Sequence, residues 1–192
     1  MDALQKVRVL GLGNVLMGDD ALGPWVIEEL LANWRFPAGV TVLDVGTPGL
    51  DLTPYLAHAD TVILVDTVKS DGPAGTIKVY AKDQLLTRPL KARVSPHDPG
   101  LAEALWTLQF EGSAPREVTL VGVVPAEVTK GIGLSPGVQE AVRRAAREVI
   151  DRLALLRLFP RRMETAAPTS PWWESPRETR PATTPKTAAA HA

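Results

Sequence analysis

The run TVILV, Thr61 to Val65, constrains the fold more than any other stretch of this chain. It is apolar on both faces, so as a strand it has to be covered on both sides. That places it in the middle of a sheet with helices above and below. Three more runs read as buried strands: VRVLGL (Val7 to Leu12), VTVLDV (Val40 to Val45) and VTLVGVV (Val118 to Val124). TIKVY (Thr76 to Tyr80) reads as a shorter one after the turn SDGPAG. Between them lie helical stretches. Leu22, Val26, Leu30 and Trp34 recur at helical spacing after Asp19 and Asp20, which are well placed to cap that helix. A short helix is expected in LDLTPYLAHA. Pro99 to Phe110 carries the stripe Leu101, Leu105, Leu108, and a long final helix runs from Ser135 to about Leu158. The order βαβαβ-β-αβα predicts a three-layer α/β/α sandwich around a mostly parallel, roughly five-stranded sheet. With 192 residues the chain has room for one such domain, assigned to residues 1–158.

From Phe159 the composition changes. Residues 159–192 are rich in Pro, Thr and Ala, hold six prolines and have no apolar periodicity. Prolines at that density forbid a long helix or a central strand, so a disordered tail is expected. Its removal is expected to leave folding and activity nearly intact. Trp172-Trp173 is its one unusual feature, read as chance, as weak docking on the domain's own surface, or as a partner-recognition motif.

Charge and cysteine content exclude several classes of function. The formal net charge is -1, from 21 basic and 22 acidic residues, which gives no general attraction to nucleic acid or to an anionic membrane. Cysteine is absent, so there is no disulfide framework, thiolate metal site or thiol nucleophile. Any metal has to be held by Asp, Glu, His or backbone oxygen. No signal-peptide pattern opens the sequence and no apolar run approaches the ~20 residues of a membrane span. A soluble, cytoplasmic monomer without membrane insertion is expected.

The residues that can carry chemistry are few. Gly11-Leu12-Gly13-Asn14 stands between a strand and a helix, where a dinucleotide-binding loop would sit. Leu16 replaces the third glycine of that fingerprint, and Asp19 and Asp20 would repel a pyrophosphate at the helix entrance. The same carboxylates favour a cation. Asp66 ends the most buried strand, where a carboxylate must be hydrogen-bonded, paired or metal-bound, and where the carboxyl ends of strands line the ligand crevice. His97 lies in VSPHDPG, a loop fixed by two prolines and a glycine just before a helix. His58 has no motif around it and is read as structural or surface; His191 is in the tail. Asp20, Asp66 and His97 each fall near the end of a different element on the expected crevice side. Two carboxylates and an imidazole make an open divalent site that accepts nickel or zinc. Asp19 is expected to face away and cap the helix.

In order along the chain, Gly11-Leu12-Gly13-Asn14, Gly18-Asp19-Asp20 with Gly23, Asp44-Val45-Gly46-Thr47-Pro48-Gly49, Ile63-Leu64-Val65-Asp66, Ser95-Pro96-His97 and Leu120-Val121-Gly122-Val123 resemble the [NiFe]-hydrogenase maturation proteases. The resemblance covers about Val7 to Leu153. It implies an α/β/α domain and an endopeptidase that removes the C-terminal extension of a nickel-loaded hydrogenase large-subunit precursor. It also implies a metal site carried onto Asp20, Asp66 and His97. The ion there would be the substrate's own nickel, used as a recognition handle, with zinc or cadmium as surrogates. Family members often have Glu where this chain has Asp20, and Gly where it has Ala21. No Ser-His-Asp arrangement and no H-E-x-x-H is evident. Either the nickel polarises the scissile carbonyl, or Asp20 or Asp66 acts as general base. Gly46 and Thr47 are expected to shape the substrate cleft. A non-cleaving nickel-binding chaperone of the same large subunit would use the same three ligands.

Overall fold

The computed structural model describes residues 4–48, 51–87, 98–167, 171 and 173. The chain forms β1 (Val7–Leu12), a 3-10 turn (Gly18–Ala21), α1 (Leu22–Asn33), β2 (Trp34–Arg35) and β3 (Val40–Gly46). It continues through α2 (Thr53–Leu56), β4 (Thr61–Thr67), β5 (Ile77–Ala81), α3 (Lys82–Thr87) and α4 (Asp98–Phe110). It closes with β6 (Glu117–Val123), α5 (Pro136–Leu155) and β7 (Arg161–Arg162). Five strands make one sheet in the order β3-β1-β4-β6-β5, in which only β5 is antiparallel to its neighbour. β4 is the middle strand and every one of its seven residues is buried, as its lack of a polar face requires.

Alternation along β4 divides the core. Ile63 and Val65 face the layer of α1 and α5, with Val26, Leu30, Val142 and Val149. Val62 and Leu64 face the layer of α2 and α4, with Leu56, Leu101, Leu105 and Leu108. The three-layer sandwich expected from the sequence is therefore the observed fold. α3, a single short helix with no buried residue, was not expected; it has no apolar stripe to announce it.

The glycines of the first motif act through close approach. A Cβ on Gly11 would lie 2.5 Å from Ile27 Cγ1 and 2.7 Å from the Gly23 carbonyl oxygen, so α1 sits directly on β1. Gly13 has φ +139 and passes under the Asp20 carbonyl with no room for a side chain. α1 starts without the expected cap. Its N-cap is Ala21, and no side chain caps it. Asp19 and Asp20 lie inside the 3-10 turn, and both carboxylates point to other loops.

α5 ends at Leu155, not Leu158. Arg157 adopts φ 60, Arg157 N donates to Ala154 O at 2.9 Å and Leu158 N donates to Leu153 O at 2.9 Å, the paired bonds of a Schellman turn. That turn sends the chain back across the domain. β7 pairs antiparallel with β2 (Trp34 with Arg162, Arg35 with Arg161), and Met163 N and Ala167 N donate to Asn33 O and Ala32 O. Residues 161–167 are thus tied to the domain by backbone bonds, within the segment for which disorder was expected. Trp173 packs on it as well. Among the described residues no helix is long and apolar enough to cross a membrane.

Candidate active site

The sheet reverses its winding between β1 and β4. From β1 the chain moves outward to β3, and from β4 it moves the other way toward β5 and β6. Such switch points open a crevice at the carboxyl ends of the strands. Asp20 follows β1 and Asp66 lies at the end of β4, so the crevice is flanked by two carboxylates.

Asp66 is fully buried, and its Oδ1 accepts a hydrogen bond from the Thr67 backbone N at 2.7 Å. Asp20 is 6% exposed. Its Oδ2 accepts from Asn14 N at 2.9 Å and its Oδ1 from Thr67 Oγ1 at 3.3 Å. Thr67 therefore touches both carboxylates, one through its backbone and one through its hydroxyl. Each Asp20 oxygen accepts one bond, which leaves lone pairs on both for a further partner. The Thr67 hydroxyl was not anticipated from sequence; its position right after Asp66 at a strand end is the signal that could have found it.

Asp19 differs. Its Oδ2 accepts from Ala126 N (2.8 Å), Glu127 N (3.3 Å) and Ser135 Oγ (2.8 Å), and its Oδ1 from Ser135 N (2.6 Å). It bonds to the loop 125–135 as far as Ser135 at the start of α5, and does not cap α1, the helix it was expected to cap. Two backbone bonds, Gly18 N to Gly131 O and Gly131 N to Leu16 O, join the same two loops. Ser135 also escaped the sequence reading: it is the N-cap residue of α5, yet its side chain serves Asp19 and not the helix.

Gly46 ends β3 beside this crevice. Its carbonyl accepts from Gly13 N at 2.9 Å, its φ is +63, and among the described residues nothing beyond its chain neighbours lies within 4 Å of where a Cβ would stand. Thr47 follows and is exposed. Asp44 Oδ1 accepts from Gly46 N at 2.9 Å. Partial desolvation raises the Asp44 carboxyl above its ordinary range, opposed by that hydrogen bond. Glu28 on α1 is raised too, first by desolvation and then by the charge of Asp44.

His97 lies outside the described residues, and among those described no group of three or more His, Asp or Glu is placed to hold a metal ion. His58 is exposed, with φ 60, and its N donates to Ser113 O near the start of β6, at the amino ends of the parallel strands. It takes no part in the crevice. A groove of about 620 Å³ edged by Trp25, Glu28, Arg143 and Ala167 lies between α1 and α5 and includes none of these site residues.

The comparisons with known proteins agree with this geometry. The family model "Hydrogenase maturation protease" matches residues 24–152. The chain belongs to the hydrogenase maturation protease family. It is 34% identical over 148 residues to the hydrogenase 2 maturation protease of Escherichia coli K12, covering 77% of this chain and 90% of that protein. The solved Escherichia coli hydrogenase maturating endopeptidase HybD superposes with a TM-score of 0.75 at 32% identity, over 82% of this chain and 98% of that one. HybD from Thermococcus kodakarensis, a [NiFe] hydrogenase maturation protease, gives 0.63 at 26% identity, over 78% and 99%. Membership makes this a peptidase fold, and at the crevice between β1 and β4 Thr67 bonds to two buried carboxylates, Asp20 and Asp66.

Proposed function

We propose that this chain removes the C-terminal extension of a nickel-loaded [NiFe]-hydrogenase large-subunit precursor, recognising the bound nickel through Asp20, Asp66 and His97. The observation that carries the proposal is the pair of buried carboxylates at the switch point, joined through Thr67. Burying carboxylates costs several kcal/mol unless they are paired, hydrogen-bonded or metal-bound. Asp20 keeps acceptor capacity in spite of that burial.

Two features support His97 as the third ligand. Asp66 has the same parity in β4 as Val62 and Leu64, which face the α2/α4 layer. His97 directly precedes α4. α4 leads through Ser113, near His58, to the start of β6 at the amino ends of the strands. Its 13 residues span about 20 Å, so its first turn lies toward the carboxyl ends, on the Asp66 side.

The ion is cargo of the substrate, so an open site of few ligands suits it better than a closed structural one. Hydrolysis requires a water that loses a proton as it attacks, and a scissile carbonyl that is polarised. Either the nickel polarises the carbonyl, or Asp20 or Asp66 takes that proton as general base. Gly46, with open space where a side chain would be, lets the substrate backbone come close, and Thr47 lines the same edge.

Incubation with a nickel-loaded precursor, read by intact mass, tests the proposal. A large subunit shortened once at its C-terminal extension supports it. An unchanged subunit that nevertheless stays bound would make the chain a nickel-binding chaperone.

A further inference from the structure

The segment that follows α5 is not absorbed by the peptidase reading, and the family match ends at residue 152, before it begins. It nevertheless runs to the back of the site. After the Schellman turn, β7 and the bonds from Met163 and Ala167 lay it along the end of α1. Trp173 then buries its indole, 7% exposed, in a small cluster with Val15 and Ala21, bordered by Trp25 and Leu134. The Trp25 and Trp173 rings meet edge-to-face, with centroids 5.9 Å apart and planes at 73°.

The positions that make and border this cluster are specific. Ala21 is the residue after Asp20. Val15 follows Asn14, whose N–H donates to Asp20 Oδ2. Leu134 precedes Ser135, which donates twice to Asp19. The cluster that Trp173 completes thus borders both loops that fix the acidic pair. The 3-10 turn holding that pair has no side-chain cap, and its backbone bonds to the rest of the fold run through Gly18 and Gly131.

We propose that residues 161–167, with Trp173, strap onto the domain and that Trp173 is a positioning residue for Asp20, holding the Asn14–Ala21 loop in its ligand-ready arrangement. The functional half of this rests on Asp20 being part of the peptidase site. It departs from the expectation that the segment beyond Leu158 can be removed without consequence. A residue of general stability only would also pack its indole on the domain, so the test has to separate local from global effects.

The test compares full-length wild type, Trp173→Ala and Trp173→Phe by amide hydrogen exchange and by processing of a nickel-loaded precursor. In Trp173→Ala, exchange should rise at least tenfold in peptides covering residues 13–21 and 125–135 and stay unchanged in β4 and α5. Processing should fall about tenfold. Trp173→Phe, which keeps an aromatic ring in the cluster, should restore most of both. Unchanged exchange overturns the proposal. So does protection lost equally in β4 and α5, which would make Trp173 a residue of global stability. Faster loop exchange with undiminished processing overturns the positioning role. If the wild type itself leaves the precursor uncut, the peptidase proposal fails. The exchange pattern then still decides the strap: a rise confined to the two loops supports it, and no rise overturns it.

Discussion

Asp19 and Asp20 are consecutive, both buried, and put to different uses. Asp19 accepts four hydrogen bonds from groups 107 to 116 residues away and ties the loop 125–135 to the loop after β1. Asp20 accepts two, one on each oxygen, and faces Thr67 at the end of the central strand. The first carboxylate is committed to four donors and fixes geometry. The second keeps capacity and stands at the crevice. Burial is therefore common to both; the number of donors already committed to each separates them.

Substitution at each position sharpens that contrast. The largest effect is expected on catalysis. Asp20→Asn or Asp66→Asn should lower precursor processing at least a hundredfold, about 2.7 kcal/mol of transition-state stabilisation, and move the melting temperature little. A melt as damaged as the activity would place these carboxylates with Asp19 among the structural ties. Next comes Asp19→Ala, which leaves Ala126 N and both donors of Ser135 without their acceptor. These donors are only partly buried, so at about 1 kcal/mol net for each bond a loss of about 3 kcal/mol is expected. That is a fall of about 6–12 °C in Tm for a domain of this size, readable by calorimetry. Thr67→Val keeps the volume and removes the hydroxyl donor to Asp20. It should cost about 1 kcal/mol, seen as a roughly fivefold slower processing rate with an almost unchanged melt.

The smallest effect concerns pH. Asp44 has a folded-state pKa raised above 3.8, so between its unfolded and folded values the folded state binds more protons than the unfolded one. Its contribution to stability therefore falls as pH rises through that window and improves as pH drops into it. Asp44→Asn still offers an oxygen to Gly46 N and removes the titration. Melts recorded across the acid range from pH 3.8 upward should show a flatter profile for the variant. An unchanged slope would mean that the Asp44 carboxyl titrates alike in both states.

The parts of the molecule legible in the sequence are those set by local pattern. TVILV has no polar face and forms the central strand; Leu101, Leu105 and Leu108 mark the buried stripe of α4. Asp66 was legible for the same reason, being a charge at the end of such a strand. What stayed hidden depends on distance along the chain. Two consecutive Asp residues before a helix look like caps, and only the folded loops bring Ala126 and Ser135 to Asp19. The strap was hidden because it is held by a two-residue ladder, a few backbone bonds and one indole, none of which leaves a periodic trace. His97 was singled out by its loop and lies outside the described residues, so its place beside Asp20 and Asp66 remains part of the proposal.

The most direct test of the carboxylate pair as a nickel-reading peptidase site is a side-by-side digest of one large-subunit precursor, nickel-loaded and nickel-free, read by intact mass. The account predicts that only the nickel-loaded form loses its C-terminal extension, and that Asp20→Asn abolishes this loss while Asp19→Asn, assayed well below its melting temperature, retains it. Equal cleavage of the nickel-free precursor, or an Asp20→Asn variant that cuts as fast as the wild type, would contradict it.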